Sequence, residues 1–162
     1  MKNFLFFALL LVPAMAQTQQ AVFETKSMTP ETALSAARAA LEHCRKAGYQ
    51  VAVAVVDRAG IPQVLLRDRF AGTHTVRVAI DKAWTAASFK IPTAALARET
   101  QAGMPMSGLR SHARVLAIGG ALPIEGKGSL LGAIGVSGAP GGDADDACAA
   151  AGIKAIADAI EF

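Results

Sequence analysis

Three histidines (His43, His74 and His112), two cysteines (Cys44 and Cys148) and a few adjacent charges are the side chains that could do chemistry here. A structural zinc site wants about four nitrogen or sulfur ligands in clustered pairs, and the histidine spacing offers no such cluster. No C-x-x-C, H-E-x-x-H, G-x-S-x-G or phosphate-cradling loop is present. Ser137 stands between glycines in Gly135-Val136-Ser137-Gly138, but without a strand-to-helix elbow or an evident histidine partner it does not read as a nucleophile. Glu42–His43 and Asp81–Lys82 could serve in acid–base work if buried, because burial shifts such groups toward neutral pH. Asp143, Asp145 and Asp146 resemble calcium ligands, yet the EF-hand loop with its bidentate Glu is missing. Acidic residues at a helix start are explained by the cap and the dipole. Met104 and Met106 invite a metal reading, but methionine fills irregular core gaps far more often than it ligates.

These residues hang on elements that the sequence marks clearly. Thr29-Pro30-Glu31 opens a helix with a capping hydroxyl, a proline at the first position and an acid in the first turn, and the helix runs to about Lys46 before Gly48. Leu34, Ala37, Leu41 and Cys44 form its core stripe. Beside it run Ala36, Ala40, His43 and Ala47, which read either as room for another subunit or a planar ligand, or as a helix shoulder with a solvated histidine. Strands are predicted at 51–56, 62–69, 112–118, 121–125 and 129–137, with helices at about 75–89, 94–101 and from Asp143 onward. In the second helix Val76, Ile80, Ala83 and Ala87 are the expected core line, with Lys82 on a flank. The stretch 119–139 is a hairpin around Glu125-Gly126-Lys127-Gly128, and Gly132 and Gly135 inside its second strand mark a bulge or the close approach of another backbone or a flat ligand.

The 162 residues make one domain with a single sizeable core. Lys2, the apolar run from Phe4 to Val12 and the ending Pro13-Ala14-Met15-Ala16 read as a secretory signal cleaved after Ala16. Residues 17–28 are then a flexible lead-in and 29–162 the domain. Loss of Lys2 lowers the formal net charge from +3 to +2, and the remaining basic residues are scattered. With one Trp, one Tyr and no basic stripe, nucleic-acid binding is excluded. The expected location is the periplasm or the medium, with no membrane span after cleavage.

Three motifs carry a family resemblance: Val53-Ala54-Val55-Val56-Asp57-Arg58-Ala59-Gly60, Ala79-Ile80-Asp81-Lys82-Ala83-Trp84-Thr85-Ala86-Ala87, and the hairpin with Gly119-Gly120-Ala121-Leu122-Pro123 and Gly132-Ala133-Ile134-Gly135-Val136-Ser137-Gly138. In this order they resemble the GlcG/HbpS-like family, which includes the C-terminal domain of PduO-type proteins. The resemblance covers roughly residues 30–160. It implies an α+β fold, a profilin-like αβα sandwich: a five-stranded antiparallel sheet with the first and last helices on one face and the middle helices around the other. It also implies a homo-oligomer.

For function, the resemblance implies an exported accessory protein that binds haem or a related tetrapyrrole. A haem asks only for one or two axial ligands and an apolar slot. His43 ranks first as ligand, because a PduO-type relative uses a histidine in this helix and the neighbouring alanines leave space; His74, shortly after Gly72, ranks second, and His112 third. Two alternatives stand beside it. One is a small-molecule catabolic enzyme, hydrolase or isomerase, with Lys82, Thr85 and Asp57 as first candidates; the other is a sensory or structural oligomer without chemistry. In the implied fold Cys44 and Cys148 are neighbours on one sheet face, so an oxidising compartment would join them as a disulfide; two buried free thiols are the alternative.

Overall fold

The computed structural model describes residues 20–161; the expected leader, residues 1–16, lies outside them. The element order is α1 (Pro30–Lys46), β1 (Ala52–Asp57), β2 (Pro62–Arg67), α2 (Thr75–Phe89), α3 (Thr93–Glu99), β3 (Ala121–Gly126), β4 (Ser129–Ser137) and α4 (Gly142–Ala155). The strands form one antiparallel sheet in the order β2-β1-β4-β3. The fold is thus mixed α+β, with β1 and β4 central and β2 and β3 at the edges.

Among the described residues the sheet has four strands, not the expected five. Ser107–Ser111 coils into a short 3-10 helix, and the chain from His112 to Ile118 runs on without a strand partner. Two local facts account for this. The Leu116 amide is spent on the hydroxyl of Thr85 on α2, 3.0 Å away. Pro123 sits in β3, where a residue without an N–H belongs on an edge that no further strand extends.

Local chemistry explains the elements that do form. Thr29 caps α1, its hydroxyl accepting from Thr32 N at 3.2 Å, with Pro30 at the first position. The β3–β4 connection turns on Lys127 and Gly128, both at positive φ. In β4, Ile124 of β3 faces Gly132 while Glu125 faces Leu130, so Leu131 is the extra residue of a bulge beside Gly132. A Cβ at Gly132 would collide with the Val56 carbonyl of β1, and one at Gly135 with the Ala79 carbonyl of α2. Both strand glycines therefore admit a neighbouring backbone rather than a flat ligand.

The strand alternation divides the interior. Val51, Val53, Val55, Ile134 and Val136 point to one face, where α1 and α4 cover them. Each such burial stabilises by about 1.5–3 kcal/mol. Ala52, Ala54, Val56, Ala121 and Ala133 point to the other, against Ala79, Ala83, Ala86 and Ala87 of α2. Of the expected core line of α2, Ala83 and Ala87 are buried while Val76 and Ile80 are only half-buried; Ala79, Lys82 and Ala86, expected off that line, are buried beside them. Between α1 and α4, Cys44 and Cys148 are joined as a disulfide with a Cα–Cα distance of 5.6 Å.

Candidate functional site

A cavity of about 590 Å³ opens where the ends of α1 and β4 meet the starts of α2 and α4. Its volume falls within the range of about 300–1,000 Å³ usual for small-molecule sites. At its floor Lys82 Nζ meets Asp145 Oδ2 at 2.8 Å and donates to the Val136 carbonyl at 3.0 Å. Both side chains are 5% exposed or less. Burial pushes the Asp145 carboxyl above the ordinary carboxylate range even though the Lys82 ammonium pulls the other way. Asp145 Oδ1 also accepts from Ala139 N at 3.1 Å, which fixes the glycine-rich turn that borders the cavity. Its neighbour Asp146 accepts from Gly120 N at 2.7 Å and is likewise raised, chiefly by burial.

The double glycine before β3 makes this arrangement possible. Gly120 has φ +121, and a Cβ there would lie 2.5 Å from Lys82 Nζ. A Cβ at Gly119 would lie 3.2 Å from the Cα of Gly142, so the chain passes tightly under the start of α4. The alanines of α2 act to the same end: short side chains let the helix lie close to the sheet, bringing Lys82 within reach of Val136 and Asp145.

The rim is apolar and aromatic. Phe70, Ile118 and Tyr49 line it, and so does His74 at the start of α2. The His74 ring folds against Gly72, where a Cβ would stand 2.7 Å from Cε1 and 3.0 Å from Nδ1. Its nitrogens make no hydrogen bond with the described residues. That leaves an exposed imidazole free to donate a lone pair into an apolar-rimmed cavity.

The three histidines are dispersed. His74 lines the cavity; His43 is exposed on the last turn of α1 and does not. The space expected beside His43 is filled in part by α4: Ala36 and Ala40 are fully buried, and a Cβ at Gly152 would stand 2.7 Å from Ala36 O and 3.1 Å from Ala40 Cβ. His112, also exposed, stacks on Trp84 with ring centroids 5.9 Å apart and planes 10° from parallel, and Arg114 lies 4.5 Å from the same ring. Of the residues singled out for small-molecule catalysis, only Lys82 lines the cavity. Asp57 Oδ1 is engaged by the amides of Ala59 and Ile61 in the β1–β2 turn. The Thr85 hydroxyl donates to Asp81 O and accepts from Leu116 N.

Phe70 and Tyr49 carry no mark in the sequence patterns, and Asp145 reads there as a helix-start acid rather than as the partner of a buried lysine. For Lys82 a signal did exist: it lies three residues after Ala79 and four before Ala86, on the small-residue stripe of α2. Among the described residues no cluster of three or more His, Cys, Asp or Glu could hold a metal ion, and no helix is long and apolar enough to cross a membrane.

Comparison with known proteins places this architecture. The crystal structure of a double mutant of Streptomyces reticuli HbpS superposes with a TM-score of 0.79 at 37% identity, over 89% of this chain and 97% of that one. The PduOC–haem complex gives a TM-score of 0.77 at 31% identity, over 80% of this chain and 95% of that one. The corrinoid adenosyltransferase PduO of Salmonella typhimurium is 35% identical over 103 residues, which is 62% of this chain but only 31% of that protein. The chain thus spans less than a third of the curated relatives it matches. The model of the family described as haem degrading protein HbpS-like matches residues 28–154, and the chain belongs to that family.

Proposed function

We propose that this protein binds haem in the cavity at the start of α2, with His74 as the axial ligand. The observation that carries the reading is the position of His74: of the three histidines it is the one on the cavity, with both ring nitrogens unengaged by the described residues. The residues fit the group. Phe70, Ile118 and Val78 offer apolar surface to a macrocycle, and Gly72 seats the imidazole. The haem-bound structure of the PduOC relative and the family description support the choice of ligand. Haem iron, when bound, supplies redox chemistry and an intense visible absorption; this chain's part is to ligate, orient and partly desolvate it.

The same reading takes the protein to be exported and self-associating. The apolar start ending in Ala14-Met15-Ala16 supports export, as does a disulfide, which persists in oxidising compartments. Protein from the native host is expected to begin at Gln17 on N-terminal sequencing.

Haem titration followed in the Soret region tests the site. His74→Ala is expected to shift the Soret band and weaken binding, while His43→Ala and His112→Ala match the parent. Parent-like titration of His74→Ala would remove the assignment, and loss confined to His43→Ala would move the ligand to α1.

A further inference from the structure

Phe70 is 80% exposed, yet the loop that displays it is held firmly. Asp68, two residues before, is buried and takes a two-pronged hydrogen bond from Arg45 of α1, at 2.7 Å from Nε and 2.9 Å from Nη2. The Asp68 amide donates to Val51 O at 2.9 Å, tying the loop to the residue just before β1. One residue beyond Phe70, the Ala71 amide donates to Asp68 O at 3.1 Å, and the Ala71 carbonyl accepts from the Arg67 guanidinium. The bonds on both sides fix the backbone that carries this ring at the cavity mouth. Ile118, 48% exposed, is the second large apolar side chain on the same mouth, contributed by the chain before β3. The other large apolar groups left in water (Val22, Phe23, Ile61, Leu65, Met104 and Met106) do not line it. Two exposed apolar side chains from separate segments thus line one cavity, beside an imidazole that the described residues leave unengaged.

Resting on the haem reading above, we infer that Phe70, backed by Ile118, is a preformed apolar platform that grips the face of the tetrapyrrole ring independently of the iron. The platform and His74 divide the work: Phe70 contributes ring contact and desolvation, and His74 contributes the bond to iron. Ligand class follows from this division. The cavity takes planar, largely apolar macrocycles with or without a central metal, and the metal sets only the contribution of His74. The Arg45–Asp68 pair positions the platform without touching the ligand.

The test titrates haem and metal-free protoporphyrin IX into the parent, Phe70→Ala, Phe70→Tyr and His74→Ala, by absorbance and by quenching of Trp84. Because Phe70 is exposed, Phe70→Ala is expected to keep the parent's thermal midpoint. Loss of a phenyl contact that is desolvated on binding predicts about tenfold or greater weakening for both porphyrins in Phe70→Ala. Phe70→Tyr retains binding, and His74→Ala weakens haem while leaving protoporphyrin IX as in the parent. Parent-like binding of both porphyrins by Phe70→Ala overturns the platform alone. A parent that binds neither porphyrin removes the haem reading and the platform together. If Phe70→Ala changes the oligomeric mass by light scattering and leaves porphyrin binding intact, Phe70 is a subunit contact and the platform is likewise overturned.

Discussion

The two faces of the sheet are built from different residues for different ends. Toward α1 and α4 the strands present Val, Ile and Leu against helix alanines and the larger Leu41, Ile156 and Ile160, and the Cys44–Cys148 bridge locks the layer. Toward α2 it is almost wholly alanine, with Val56 as the one larger buried side chain of that cluster. Alanine buries little apolar area, so this face is a weak source of hydrophobic stability. What it provides is proximity. With Gly135 beneath it, the α2 backbone lies against β4, and Lys82 reaches across to the Val136 carbonyl and Asp145. The stapled face holds the domain together, and the alanine face sets the geometry of the cavity. The two meet at the cavity, bordered by the end of α1 on one side and the start of α2 on the other.

Breaking the alanine face at its ion pair is expected to have the largest effect. Lys82→Met leaves Asp145 buried without its cation, which predicts a loss of about 3–5 kcal/mol in urea unfolding. The double variant Lys82→Met/Asp145→Leu is expected to recover much of that loss while altering the cavity floor. If the single variant proves as stable as the parent, the pair does not hold this face.

Opening the stapled face comes next. The disulfide closes a sequence separation of 104 residues, and Cys44→Ala/Cys148→Ala is expected to lose about 2–5 kcal/mol. Porphyrin binding should survive in whatever fraction stays folded, because neither cysteine lines the cavity. Equal loss of stability and of intrinsic porphyrin affinity would mean that the two faces are not separate in function.

The smallest effect concerns the join between them. The hydrogen bonds from Arg45 hold the Asp68 carboxyl below the ordinary carboxylate range. A carboxylate depressed in the folded state contributes stability above its unfolded pKa and loses it as pH falls through the depressed native value. Asp68→Asn is therefore expected to be less stable by about 1 kcal/mol at neutral pH, since Arg45 is half-exposed, with the gap closing on acidification. Asp145 and Asp146 act in the opposite sense. Raised by burial, they contribute below the ordinary carboxylate range and lose that contribution as pH rises through their native values. A gap between Asp68→Asn and the parent that widens toward acid pH would contradict the sign.

What the sequence by itself determined was local. The start of α1 follows from Thr29 and Pro30, the hairpin turn from the stretch Glu125-Gly126-Lys127-Gly128, and the two central strands from apolar runs too continuous to be half-exposed. The family was legible too, because its motifs sit at backbone positions that only small residues satisfy: Gly119-Gly120 under α4 and Gly135 under α2. Tertiary structure alone decided the rest. The run 112–118 has the apolar content of a strand, but its Leu116 amide is taken by Thr85, thirty-one positions earlier in the chain. Ala36 and Ala40 read as room for another subunit or a planar ligand, or as a helix shoulder, and only the arrival of Gly152 shows that α4 covers them. Asp145 reads as one of three acids at a helix start until Lys82, sixty-three residues away, is brought to 2.8 Å. Periodicity and capping depend on neighbours a few positions apart, whereas a cavity is assembled from side chains that share no sequence neighbourhood, so no local pattern marks them.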